Sequence, residues 1–169
     1  MSADSMLNLF VALRSLHVVV AALWLGSTAV LFWFVLPAAG NLASETVARL
    51  VRHKHHAFMA SIAGTTVLSG VLLFWHLTGF SAAGMTSRPG IVFGIGGALG
   101  LAAMIVGGGV IGKSAGQIAA LSASDDTRAR TADNSADIDR LARRMVGAGR
   151  LVIALLLATA ILMTLGHYI

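Results

Sequence analysis

Four long apolar stretches set the limits on what this chain can fold into. They cover residues 7–37, 57–80, 90–112 and 146–168. A helix needs about 20 consecutive apolar residues to cross the hydrocarbon of a bilayer, and each stretch meets that length. The rest of the composition points the same way. Of the 169 residues 57% are apolar and 11% charged, whereas soluble domains carry about 25% charge. Mean hydropathy is +0.84. A chain of this size has no aqueous core large enough to hide so much apolar surface. The expected fold class is all-α integral membrane: one domain, a bundle of four transmembrane helices.

Charge placement gives an expected orientation. The N-terminus, the loop around residues 80–89 and the C-terminus fall on one side of the bundle, here side A. Residues 38–56 and 113–145 fall on side B. Of the twelve Lys and Arg residues only Arg14 and Arg88 belong to side A. Cytoplasmic loops are enriched in Lys and Arg, so side B is expected in the cytoplasm and both termini outside. In a bacterium this is the inner membrane, with side A facing the periplasm. The net charge of +5 and the pI near 11.1 then reflect topology, not nucleic-acid binding, and no nucleic-acid fold pattern accompanies them. The first stretch is expected to be a retained helix and not a cleaved leader. It lacks the basic start of a signal peptide, since Asp4 is the only charge before Arg14.

The cytoplasmic segment 113–145 ends in LSASDDTRARTADNSADIDRLARRM, residues 121–145. Its Ser/Asp-rich first half reads as a mobile loop. Its second half reads as a helix capped by Asn134 or Ser135, with Asp137 and Asp139 early and Arg143 and Arg144 later, as the helix dipole favours.

Absences narrow the chemistry. There is no cysteine, which excludes disulfides, thiolate metal sites and iron–sulfur clusters. No Asp or Glu lies between Glu45 and Asp125 or after Asp139. Carboxylate proton relays and cation-coupled transport therefore have no group inside the spans.

Two sets of histidines remain. RLVRHKHHAF, residues 49–58, holds His53, His55 and His56 among Arg49, Arg52 and Lys54. One reading is a basic helix start facing anionic lipid. The other is a metal site completed by an acid such as Glu45 or by a second subunit, because one helix cannot aim all three imidazoles at one atom. The second set is hidden by sequence distance. His17 lies early in the first span, His76 ends the second and His167 ends the fourth. All three map to side A. Each also has a plain reading, as an interfacial residue or, for His17, an interhelical hydrogen bond. Neutral imidazole is a ligand for haem iron, copper or zinc. Arg14 lies one turn before His17 and is a candidate partner for an anionic group such as a haem propionate or a lipid phosphate. Met6, Met85 and Met163 also map to side A, and thioether with imidazole suits Cu(I).

The third span is dense in glycine: Gly90/Gly94, Gly96/Gly100, Gly108/Gly112 and Gly112/Gly116 each repeat at four. This spacing lets helices pack closely or opens a flat slot against a porphyrin. Ser27, Thr28, Thr65, Thr66 and Ser69 either line a polar seam or bond back to their own helices.

LRSLHVVVAALWLGSTAVLFWFVLPAA, 27 of the 169 residues, resembles the first helix of small bacterial membrane proteins. These include the copper-resistance protein D family and the HemJ-type protoporphyrinogen oxidases. The shared cue is Leu16-His17 followed by Trp24 and Gly26. The resemblance implies a membrane bundle associated with haem b, with His17 as iron ligand. The HemJ type also places a lysine near the start of its third span. Here that region reads TSRPGIVFG, and Lys113 stands at the other end of the span.

The expected function is a b-type haem protein for electron transfer, as a component of a membrane oxidoreductase. His17 would be one axial ligand and His76 or His167 the other, with a redox partner or a second copy of the chain as companion. The alternatives are a copper-handling protein using His17, His76, His167 and Met163, and a non-catalytic membrane subunit without cofactor.

Overall fold

The computed structural model describes residues 3–39, 47, 55–125, 132–166 and 168. Its main elements are all helical. Helix α1 (Ala3–Val30) runs through a π-helical turn, π1 (Leu31–Val35), into α2 (Leu36–Ala39). Helix α3 covers His55–Thr78, and a short α4 covers Ala82–Thr86. Helix α5 (Arg88–Val106) passes through a second π-helical segment, π2 (Gly107–Gly112), into α6 (Lys113–Asp125). Helix α7 (Ala132–Leu165) closes the bundle.

Four stretches are long and apolar enough to cross a membrane: Ser5–Ala38, His55–Thr78, Arg88–Leu121 and Ser135–Leu165. They suggest a multi-pass membrane protein. The helices form a ring in which α1 packs on α3 and α7, and α5 packs on α3 and α7. The outer faces stay apolar: Leu7, Val18, Phe34, Leu68, Ile105 and Ile161 are all exposed. Such a surface suits lipid and not water.

One sequence expectation needs correction. Much of residues 113–145 is helix. Helix α6 carries the third span on to Asp125, and α7 is already helical at Ala132. Asn134 and Ser135 therefore lie inside α7, after its first residue Ala132; residues 126–131 lie outside the described residues. The reason is packing. Ala115 and Ile118 of α6 share one buried cluster with Ile138, Leu141 and Met145 of α7. The two polar-looking segments thus form a helical hairpin that continues the bundle past the apolar spans.

That cluster, which also holds Phe32, Leu36, Val47 and Ile153, forms the side-B core. A second cluster, Trp24, Ile62, Ala63, Ala103, Val152 and Leu156, fills the middle. At π1 the extra residue in the turn accompanies a Phe32 that is 2% exposed. Its ring lies where a Cβ on Gly149 of α7 would be, so only glycine fits there.

The side-A turn between α3 and α5 is built by hydroxyls. The Ser81 side chain accepts from the Gly84 N–H, and Ser87 accepts from the Gly90 N–H, each meeting a helix-start donor that has no partner within its own helix. Gly79 takes φ +57° and Phe80 φ +53°. The left-handed conformation is costly at phenylalanine. At that point the Phe80 N–H donates to the Thr78 hydroxyl at 3.2 Å.

Candidate cofactor site

His17 sits on the face of α1 that meets α3. Its Nδ1 lies 3.0 Å from the Thr66 carbonyl oxygen and 3.0 Å from the Ser69 hydroxyl. A carbonyl only accepts, so Nδ1 carries the proton and donates to it. Ser69 can accept as well, because its own hydroxyl hydrogen goes back to the Thr65 carbonyl at 2.6 Å. Thr66 likewise bonds back to Ile62 at 2.8 Å. The two readings of these hydroxyls therefore hold together: they bond to their own helix, and Ser69 also serves the seam.

This arrangement assigns the tautomer. With Nδ1 protonated, the neutral ring keeps its lone pair on Nε2, the form in which histidine binds a metal. Gly70 makes the close approach possible. A Cβ at that position would stand 3.0 Å from His17 Cε1. Neither Ser69 nor Gly70 was singled out as a partner of His17 by sequence. The available signal was the small-residue run TTVLSG opposite the only imidazole of the first span.

Among the described residues, His76 does not meet His17. His76 is exposed and packs against Phe10, with ring centroids 4.8 Å apart and tilted by 33°. Phe10 precedes His17 by seven residues, and His76 follows Ser69 by seven. Two helical turns, about 10 Å, therefore separate the two imidazoles along the bundle. Two nitrogens on one metal stand roughly 4 Å apart, given bonds of about 2 Å. His17 and His76 are thus separate positions. His167 lies outside the described residues. Gly166 before it packs on Phe93, and the neighbouring Gly94 faces Phe74, so α7 ends near the level of His76. Arg14 is exposed on α1, three residues before His17.

Met163 is part-buried, with its methyl group against Gly96, where it fills the seam between α5 and α7. Met6 and Met85 are exposed. Among the described residues no group of three or more His, Asp or Glu side chains is placed to hold a metal ion.

The second histidine set splits at side B. His56 leans on the third span, with Nε2 2.9 Å from where a Cβ on Gly112 would stand. His55 is half-buried, and its Nε2 has no hydrogen-bond partner among the described residues. His53 and Glu45 lie outside the described residues. The glycine-dense span is used for close contact at Gly94, Gly96 and Gly112, which receive Phe74, Met163 and His56, while Gly97 and Gly100 face open space.

A crevice of about 240 Å³ lies at the side-B end, lined by residues that include Leu36, Val47, Met145 and Arg150. It is remote from His17 and falls below the roughly 300–1,000 Å³ of small-molecule pockets. Compared with protein-family models, with curated proteins and with solved structures, the chain matches none.

Proposed function

We propose that this chain is a multi-pass protein of the bacterial inner membrane that binds a b-type haem through His17 and serves membrane electron transfer. One observation carries the reading: Nδ1 of His17 is held by the Thr66 carbonyl and the Ser69 hydroxyl. This is the outer-shell arrangement that ligating histidines use to fix ring orientation and raise basicity. Haem, when bound, supplies a one-electron carrier. The chain's part is to hold the Nδ1 proton, to present Nε2, and to keep carboxylates out of the spans. His17 is the one ligand proposed, since His76 stands two turns away. Arg14, three residues earlier on the same helix, is the proposed partner for an anionic edge of the group. Copper handling has less support, because Met163 is occupied in packing against Gly96.

The second reading is a membrane subunit without cofactor, in which His17 rivets α1 to α3. The close seating of the ring on Gly70 favours it. Optical spectra of the detergent-purified protein, oxidised and dithionite-reduced, separate the two. A Soret band that shifts on reduction and is lost or altered in His17→Ala supports the haem reading. A colourless protein from haem-replete cells overturns it and leaves the rivet.

A further inference from the structure

Residues 145–165 of α7 form a run with one charge, Arg150. Its side chain is exposed, and among the described residues it has no ion-pair partner. The acids of α7, Asp133, Asp137 and Asp139, lie eleven or more residues earlier. An unpaired guanidinium at this depth is costly unless it reaches a polar partner. Helical side chains lean toward the helix N-terminus, which for α7 is side B. Arg150 therefore leans back along Val146 toward the boundary.

The side-B crevice lies on that path. Arg150 and Val146 line it together with Leu36, Pro37, Val47 and Met145, so one cation meets an otherwise apolar lining. Arg143, seven residues before Arg150 and exposed, lies on the same face of α7, nearer the boundary. Ten of the twelve basic residues map to this side. A volume of about 240 Å³ suits a segment of a single hydrocarbon chain.

We propose that this crevice holds one acyl chain of an anionic phospholipid whose phosphodiester pairs with Arg150. The chain fills the apolar part, and the planar guanidinium offers two parallel donors to the phosphate oxygens. The positive side-B field selects anionic over zwitterionic lipid. This inference rests on the membrane reading and is independent of haem.

The test is native mass spectrometry of the full chain in neutral detergent, titrated with phosphatidylglycerol or with phosphatidylcholine. The expected result is retention of phosphatidylglycerol over phosphatidylcholine. Arg150→Gln should weaken phosphatidylglycerol binding by about tenfold or more, the size of one hydrogen bond to a charged group. Val146→Trp, which fills the crevice, should do the same. Arg140→Gln should not, because Arg140 pairs with Asp137 at 3.1 Å outside the crevice. Equal binding of the two lipids, or unchanged binding in Arg150→Gln, overturns the proposal. So does a lipid-independent dimer lost in Val146→Trp, which would mean that a second copy fills the crevice. A chain that stays monodisperse without detergent would instead overturn the membrane reading itself.

Discussion

His17 and Ser69 meet 3.0 Å apart across the seam between α1 and α3. The contact joins residues 52 positions apart in sequence, and the Thr66 carbonyl shares the same imidazole proton. Removing the hydroxyl leaves one acceptor in place. Ser69→Ala should therefore lower stability in detergent by only about 0.5–1 kcal/mol, the usual scale for an interhelical hydrogen bond in a membrane bundle. If haem is bound, its reduction potential should rise, since a less basic imidazole favours the oxidised iron less. Thermal unfolding and redox titration of the variant read the two effects separately.

Gly70 and Gly100 should respond differently to the same change. Alanine in a helix is favoured over glycine by about 1 kcal/mol. At Gly100 nothing lies within 4 Å of the new methyl, so Gly100→Ala should stabilise by up to about that amount. At Gly70 the methyl would stand 3.0 Å from His17 Cε1, and the ring must yield. Gly70→Ala should forfeit most of the gain and Gly70→Val should destabilise. Paired melting curves decide it, and equal shifts at the two sites would remove Gly70 from the seam.

The Phe32–Gly149 contact makes a sharper case. A Cβ at Gly149 overlaps the Phe32 ring, and Phe32 is 2% exposed. Gly149→Ala should cost about 1–3 kcal/mol by overpacking. Combined with Phe32→Leu, the cost should fall, giving a coupling energy above about 0.5 kcal/mol in a double-mutant cycle. Additive losses would show that the wedge is not shared.

The helical hairpin of α6 and α7 predicts a local effect. Ile118 is fully buried between them, and truncating a buried isoleucine costs about 2–5 kcal/mol. Ile118→Ala should raise the rate of proteolytic cleavage in the side-B hairpin well before the spans unfold. Timed digestion followed by mass analysis locates the cut. Cleavage spread evenly along the chain would contradict a hairpin core.

Orientation can be read directly, because the chain has no cysteine. Single cysteines at Ala82 and Ala136, both exposed, lie at opposite ends of the bundle. With side B inside, a membrane-impermeant maleimide applied to whole cells should label Ala82→Cys and leave Ala136→Cys unlabelled until the cells are opened. The reverse pattern would invert the topology inferred from the basic residues.

Four helices with spanning apolar runs were legible in the sequence, because length and lack of charge are local properties of a segment. So was the sorting of basic residues between the two sides, which follows once the spans are counted. The hairpin of α6 and α7 was not. The second half of residues 121–145 was legible as helix, but that its buried stripe of Ile138, Leu141 and Met145 packs on Ala115 and Ile118 of a neighbouring helix was not, because the first half reads as loop. The histidines show the same division. Topology brought His17 and His76 to one side, but rise per residue places them two turns apart, and a listing by side hides depth.

The sequence by itself determined that this chain offers four stretches long and apolar enough to cross a membrane, and that imidazole is the only ring nitrogen ligand within them. Only the tertiary structure decided that His17 faces Thr66, Ser69 and Gly70 and not lipid. A helix that is apolar all round carries no stripe to tell which face turns inward. Its rotation is set by where a neighbouring helix offers a glycine and two acceptors.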